Sequence, residues 1–216
     1  MTLSFDLYWS FRSPYCYLAL DRLLALHRDH DVAVAVRVVY PMAVRDPGFF
    51  KRTNPLYRPY HSLDSKRVAA FLGIPFRRPL PDPIVMDMAT QAIAAEQPYI
   101  GRVSRLGQAA AMAGRGLEFL DQVSRILWDG NTDGWDTGDH LAKAMTQAGL
   151  DAAKLERAVA EDPAKYEAAI EANQRAQAAA GHWGVPLMVF AGEPFYGQDR
   201  VETLAWRLRQ NGLARR

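Results

Sequence analysis

The chain has 216 residues, 49% of them hydrophobic, with a formal net charge of +2, 23% charged residues and one cysteine. That is enough apolar material for a sizeable core, as one domain or as one domain carrying a large insertion, and the balanced charge without a long basic run leaves no footprint for nucleic acid. A single cysteine excludes an intramolecular disulfide, and with it a CxxC dithiol cycle within the chain.

In chain order, residues 3–9 are short, aromatic-rich and bounded by Ser10, which reads as a strand. Leu18, Leu20, Leu23, Leu24 and Leu26 then recur on a helical face, and Val32, Val34, Val36, Val38 and Val39 form a β-branched run ended by Pro41. Strand, helix and strand in this order normally make parallel strands through a right-handed crossover. Residues 42–83 are rich in proline, aromatics and arginine, and read as mostly loop with one short helix over 63–72, opened by Ser62 and stopped by Gly73 and Pro75.

Helices are expected over 86–95, 100–113, 117–128, 140–147, 152–160 and 164–180, with Asp151 as an N-cap and Asp162-Pro163 as a cap followed by an N1 proline. Strand character returns at 187–190 and 194–196 around the Ala191-Gly192-Glu193 turn, and an amphipathic helix over 201–208 follows. The order βαβ, helical block, ββα is an α/β arrangement of the thioredoxin type. Its expected domains are 1–42 with 181–216 for the thioredoxin-like part and 43–180 for an inserted all-helical part. Residues 1–6 show no basic or apolar leader pattern and no stretch approaches the roughly 20 apolar residues of a membrane span, so a soluble, cytoplasmic protein without a membrane partner is expected.

Ser13-Pro14-Tyr15-Cys16 sits where the first strand gives way to the first helix. Pro14 suits the first helical turn and Ser13 its N-cap. The cap hydroxyl, the free N–H groups and the helix dipole converge on one point, where an anion such as a thiolate is stabilised. Taken alone, Ser13 reads first as an ordinary cap, and Cys16 as a small buried hydrophobe. His61, His140 and His182 have no metal-ligand spacing with one another or with Cys16, so no metal is assigned.

Tyr8 through Tyr15, Leu72-Gly73-Ile74-Pro75, Gly184-Val185-Pro186 and Gly197-Gln198-Asp199-Arg200 occur in an order that resembles the DsbA-like thioredoxin superfamily, in the branch of 2-hydroxychromene-2-carboxylate isomerases and kappa-class glutathione transferases. The resemblance implies that Ser13 stands where redox members carry their attacking cysteine, with glutathione as the borrowed thiol. It further implies a glutathione site made by Ser13, Pro14, Asn54, Val185, Pro186, Asp199 and Arg200, with Val185-Pro186 as the cis-proline loop. Without it, Asp199 and Arg200 are a cap and a first-turn residue. The loop 53–60 departs from the family pattern, because the family's lysine position falls on Tyr57 or Arg58.

A carboxylate-bearing aromatic substrate is expected to meet Arg45, Arg52, Arg58 or Tyr60, since arginine forks match carboxylates, although each arginine singly also reads as a solvated side chain. The function implied is a glutathione-dependent isomerase acting on an aromatic pyruvate-like compound by thiolate addition and elimination. The alternatives are a kappa-like glutathione transferase or peroxidase, and a non-catalytic thioredoxin-fold protein that binds peptides beside Pro186. A homodimer is also what the resemblance implies.

Overall fold

The computed structural model describes residues 2–87, 89–90 and 92–216. Its sheet has the order β2-β1-β3-β4. Strand β1 (Leu3–Trp9) pairs in parallel with β2 (Val32–Val38), from Leu3↔Val32 to Trp9↔Val38, and the connection between them is helix α1 (Pro14–Asp29). The other edge of β1 takes the antiparallel β3 (Leu187–Phe190), and β3 takes β4 (Glu193–Tyr196). Alternation along β1 sorts its side chains: Phe5, Leu7 and Trp9 enter the main core, while Tyr8 joins Val39 and Leu187 on the opposite face.

Short helices α2 (Met42–Arg45) and α3 (Phe49–Arg52) lead to α4 (Tyr57–Leu72). The helical block then comprises α5 (Pro98–Met112), α6 (Gly116–Trp128), α7 (His140–Gln147), α8 (Ala152–Glu161) and α9 (Pro163–Ala179), and α10 (Val201–Gln210) closes the chain. Asp151 and Asp162 cap their helices by accepting from Lys154 N at 2.9 Å and Lys165 N at 3.1 Å. Helices α5, α6 and α9 all meet β2, so one apolar core runs from the sheet into the helical block. Asn173 of α9 fastens that junction, its buried amide donating to Val38 O at 3.0 Å and Gln108 Oε1 at 2.8 Å. Among the described residues no helix is long and apolar enough to cross a membrane.

Two expectations for the middle of the chain need correction. Helix α4 starts at Tyr57 rather than at Ser62. Pro59 falls in its first turn, where a missing N–H leaves no bond unmade, and Asn54 Oδ1 accepts from Leu56 N at 3.0 Å to set the entry. The helix expected over 86–95 is replaced, where the chain is described, by a tight reversal: Met86 bridges Ile93, and Asp87 Oδ1 accepts from Ala89 N and Thr90 N at 2.9 and 2.7 Å. Asp87 offers the backbone a local turn that outcompetes helix. Met88 and Gln91 of that expectation lie outside the described residues.

Candidate active site

Helix α1 begins as its first residues dictate. Ser13 has extended backbone angles, Pro14 occupies the first turn, and Ser13 Oγ accepts from Cys16 N at 3.3 Å. Across from it, the Val185–Pro186 peptide bond is cis and brings the Val185 carbonyl to 3.5 Å from the Ser13 hydroxyl, which donates to it. Cys16 is fully buried behind this point. Burial pushes its thiol up to about 12, in spite of the contacts to Ser10 and Ser13 that favour the thiolate. It is inert at neutral pH.

The α1 start and the Val185 loop form one wall of a cavity of about 450 Å³. The opposite wall is built on α4 and on residues 76–83. Tyr57, Arg58, His61, Ser62, Ser65 and Lys66 line it, a recurrence that only a helical face produces. Phe76 and Trp128 also line the cavity, their rings stacked at 5.6 Å and 12°. They give it a flat aromatic surface.

Charge in the cavity is predominantly positive, from Arg12 just before α1 and Arg58, Lys66, Arg77 and Arg78 on the opposite wall, against the carboxylate of Asp82. Arg12 grips Asp82 through two bonds of 3.0 and 3.2 Å, Arg78 adds a bond of 3.0 Å, and Ile84 N donates at 3.0 Å. Burial alone would raise the Asp82 carboxyl, but the two guanidiniums and the N–H outweigh it and hold its pKa below the ordinary carboxylate value. Arg77 is tied to Asp133. Among the described residues Arg58 has no carboxylate partner, and its guanidinium lies over the Phe50 ring at 4.9 Å. Burial and the nearby Arg12 and Arg78 push its pKa down, so an incoming anion would relieve this site.

His61 stands between two tyrosines, its ring 4.7 Å from that of Tyr15, edge to face, and 5.7 Å from that of Tyr57. Tyr15 is fixed in turn by a 2.7 Å bond from its hydroxyl to Asp64. Burial first, and then Arg12 and Arg78, lower the His61 pKa and disfavour the imidazolium, against a smaller opposite pull from Asp64.

Of the residues expected at the site, Ser13, Pro14, Val185 and Arg58 line the cavity, with Pro186 completing the cis bond beside Val185. The others stand outside the lining. Arg45 donates to Gln177 Oε1 at 2.8 Å, Arg52 pairs with Asp46, and Asn54 serves the entry to α4. Tyr60 is 59% exposed on the outer face of α4, and Asp199 and Arg200 pair with each other at 2.8 Å on the surface. Sequence reasoning missed Arg12, His61, Arg78 and Asp82. The recurrence of 57, 58, 61, 62, 65 and 66 is the signal that could have exposed His61, once Pro59 is allowed in a first turn.

No curated protein matches the sequence. Among solved structures, a 2-hydroxychromene-2-carboxylate isomerase superposes with a TM-score of 0.71 at 19% identity, covering 96% of this chain and 95% of that one. A probable DsbA oxidoreductase from Streptomyces coelicolor gives 0.65 at 22% identity, with 96% and 89% covered. The cytosolic disulfide reductase DsbM from Pseudomonas aeruginosa, solved with GSH, gives 0.59 at 17% identity, with 96% and 100% covered. At these identities the likeness is one of fold, the thioredoxin-like fold of DsbA proteins with a helical region between its two strand-bearing ends. Residues 5–209 match the DSBA-like thioredoxin domain, and the chain belongs to that family.

Proposed function

We propose that the protein is a glutathione-dependent isomerase of the 2-hydroxychromene-2-carboxylate type, acting on an aromatic pyruvate-like substrate. The observation that carries this reading is Ser13: a hydroxyl, not a thiol, caps α1 at the cavity wall, and the one cysteine behind it is buried with its thiol pushed up to about 12. The chain therefore needs a borrowed sulfur. Its residues fit glutathione, because the cap hydroxyl and the dipole of α1 suit a thiolate, the Val185 carbonyl suits a peptide N–H, and the arginine-rich side suits carboxylates. An HCCA isomerase and a disulfide reductase solved with GSH among the structural relatives agree with that choice.

When bound, glutathione supplies the nucleophilic sulfur that adds to a conjugated double bond and later leaves. Ser13 donates its hydroxyl proton in a hydrogen bond that steadies negative charge on the sulfur. Arg58 takes the substrate carboxylate, and Phe76 with Trp128 flanks the aromatic ring, so that the conjugated carbon is held towards the α1 start. Addition followed by elimination leaves glutathione unconsumed.

Calorimetric titration of glutathione into the protein, with Ser13→Ala alongside and absorbance read for bound thiolate, tests this. Binding with a thiolate band that Ser13→Ala loses supports it, and turnover of 2-hydroxychromene-2-carboxylate without a lasting conjugate separates isomerase from transferase. No binding at millimolar glutathione sinks it.

A further inference from the structure

We propose that His61 is the proton carrier of the reaction, the group that takes the thiol proton and delivers it to the substrate oxygen. This rests on the glutathione reading above and adds to it a residue on the opposite wall. Thiol addition to a conjugated carbonyl moves a proton as well as an electron pair, and Ser13 can give a hydrogen bond but cannot act as a base near neutral pH. Among the groups that line the cavity, His61 and Asp82 are the histidine and the carboxylate, the side-chain types whose ordinary pKa lies at or below neutral. The Tyr15 hydroxyl is held by Asp64 at 2.7 Å, and burial followed by that bond drives its pKa up. Asp82 already accepts from Arg12, Arg78 and Ile84 N, and its pKa is depressed, which makes it a weak base. Cys16 is buried outside the cavity lining.

His61 meets the remaining requirements by geometry. Its ring lines the cavity, Tyr15 and Tyr57 clasp it at 4.7 and 5.7 Å, and among the described residues neither ring nitrogen has a hydrogen-bond partner. Its side of α4 is anchored instead through the backbone, where its carbonyl accepts from Ser65 Oγ at 2.7 Å. Tyr15, two residues beyond Ser13, is the contact between this ring and the α1 start. The charged and titratable groups facing it are Arg12 and Tyr15 from the α1 start, Tyr57 and Asp64 from its own helix, and Arg78 from the 76–83 segment.

The proton balance closes. His61 accepts the S–H proton when glutathione binds, leaving a thiolate; the sulfur electron pair then bonds to the conjugated carbon and the π pair moves to the carbonyl oxygen. It then gives that proton to the oxygen, the former double bond rotates or the ring opens, and the steps reverse. His61 takes the proton back as the carbonyl reforms and the C–S bond breaks, and returns it to the sulfur.

The test compares wild type with His61→Gln in glutathione titrations followed by calorimetry and by the thiolate band across pH, and in turnover of 2-hydroxychromene-2-carboxylate. Expected are glutathione affinity within about threefold of wild type, loss of the thiolate band near neutral pH, and kcat down by about 10²- to 10⁴-fold. Added imidazole should restore part of the rate in His61→Ala. In wild type the acid limb of kcat/KM should fall below the ordinary histidine value. Arg78→Gln should move that limb upward and Asp64→Asn downward, because Arg78 lowers and Asp64 raises the His61 pKa. A His61→Gln protein that keeps its thiolate band, or that turns over within threefold with the same acid limb, overturns the proposal while leaving the glutathione reading intact. A wild type that binds no glutathione removes both.

Discussion

At the start of α1 the cavity wall, apart from Arg12 turned onto Asp82, is neutral and made of backbone as much as side chain: a cap hydroxyl and the Val185 carbonyl. The wall across from it is made of long side chains, with Arg58 unpaired among the described residues, His61 between two tyrosines, and Arg78 sharing the one carboxylate of Asp82 with Arg12. In the first wall the cap at Ser13 depends on local geometry that a tetrapeptide specifies, while the Val185 carbonyl reaches it from 172 positions away. The second depends on α4 and the 76–83 segment, the latter fastened to the chain just before α1 by the Arg12–Asp82 contact, which spans 70 positions in sequence. On the proposed reading the two walls would divide the labour, the neutral one holding the sulfur and the cationic one the substrate carboxylate and the proton.

Substitutions can break that division, and the largest effect belongs to the neutral wall. Ser13→Ala should lower kcat/KM by about 10²- to 10³-fold, the range for losing one preorganised donor to developing charge. It should also cost about 1 kcal/mol in thermal or denaturant unfolding through the lost cap. Turnover within threefold of wild type would remove the chemistry from this wall. On the other wall, Arg58→Met should raise KM for the carboxylate substrate about 10- to 100-fold with kcat nearly unchanged, matching a charged hydrogen bond of about 1.5–3 kcal/mol. A kcat loss with unchanged KM would reassign Arg58.

Asp82→Asn should loosen the second wall itself, costing about 1–3 kcal/mol in denaturant unfolding, since two guanidiniums lose their shared anion. The sign of the pH effect follows from the depressed carboxyl. The folded pKa lies below the unfolded value of about 3.9, so the stabilisation is present above that value and is lost as pH falls through the folded one. Acid unfolding should therefore be shallower in Asp82→Asn than in wild type. The smallest effect is expected at Cys16, which belongs to neither wall's chemistry. Cys16→Ala should keep turnover within about twofold and lose about 1 kcal/mol of stability, and the wild-type thiol should resist alkylation until the protein is unfolded.

This contrast also explains what could be read from the sequence. The strands over 3–9, 32–38 and 187–190, the caps at Asp151 and Asp162, and the Ser13-Pro14 start are short-range patterns, and each falls within a residue or so of where the structure has it. The α4 start was hidden because Pro59 reads as a breaker unless the helix is already known to begin at Tyr57. The reversal at 86–93 was hidden because Asp87 serves a helix cap and a turn by the same hydrogen bonds. Arginines drew attention by charge alone, yet only their partners distinguish Arg58, left without one among the described residues, from Arg45 and Arg52, which are engaged elsewhere. Pairings of that kind have no local signature.

The contact between the Ser13 hydroxyl and the Val185 carbonyl has one more implication. At 3.5 Å it is a slack bond, close to the limit at which a hydrogen bond counts as one. It joins to each other the two groups that a peptide-like thiol would want separately: a proton for its sulfur and an acceptor for its amide. Swinging the hydroxyl towards a guest surrenders little and releases the carbonyl in the same motion. On the proposed reading the pair would be a loosely closed clasp, exchanging one poor internal bond for two good external ones, and only a guest offering both partners at the right spacing would collect the full difference.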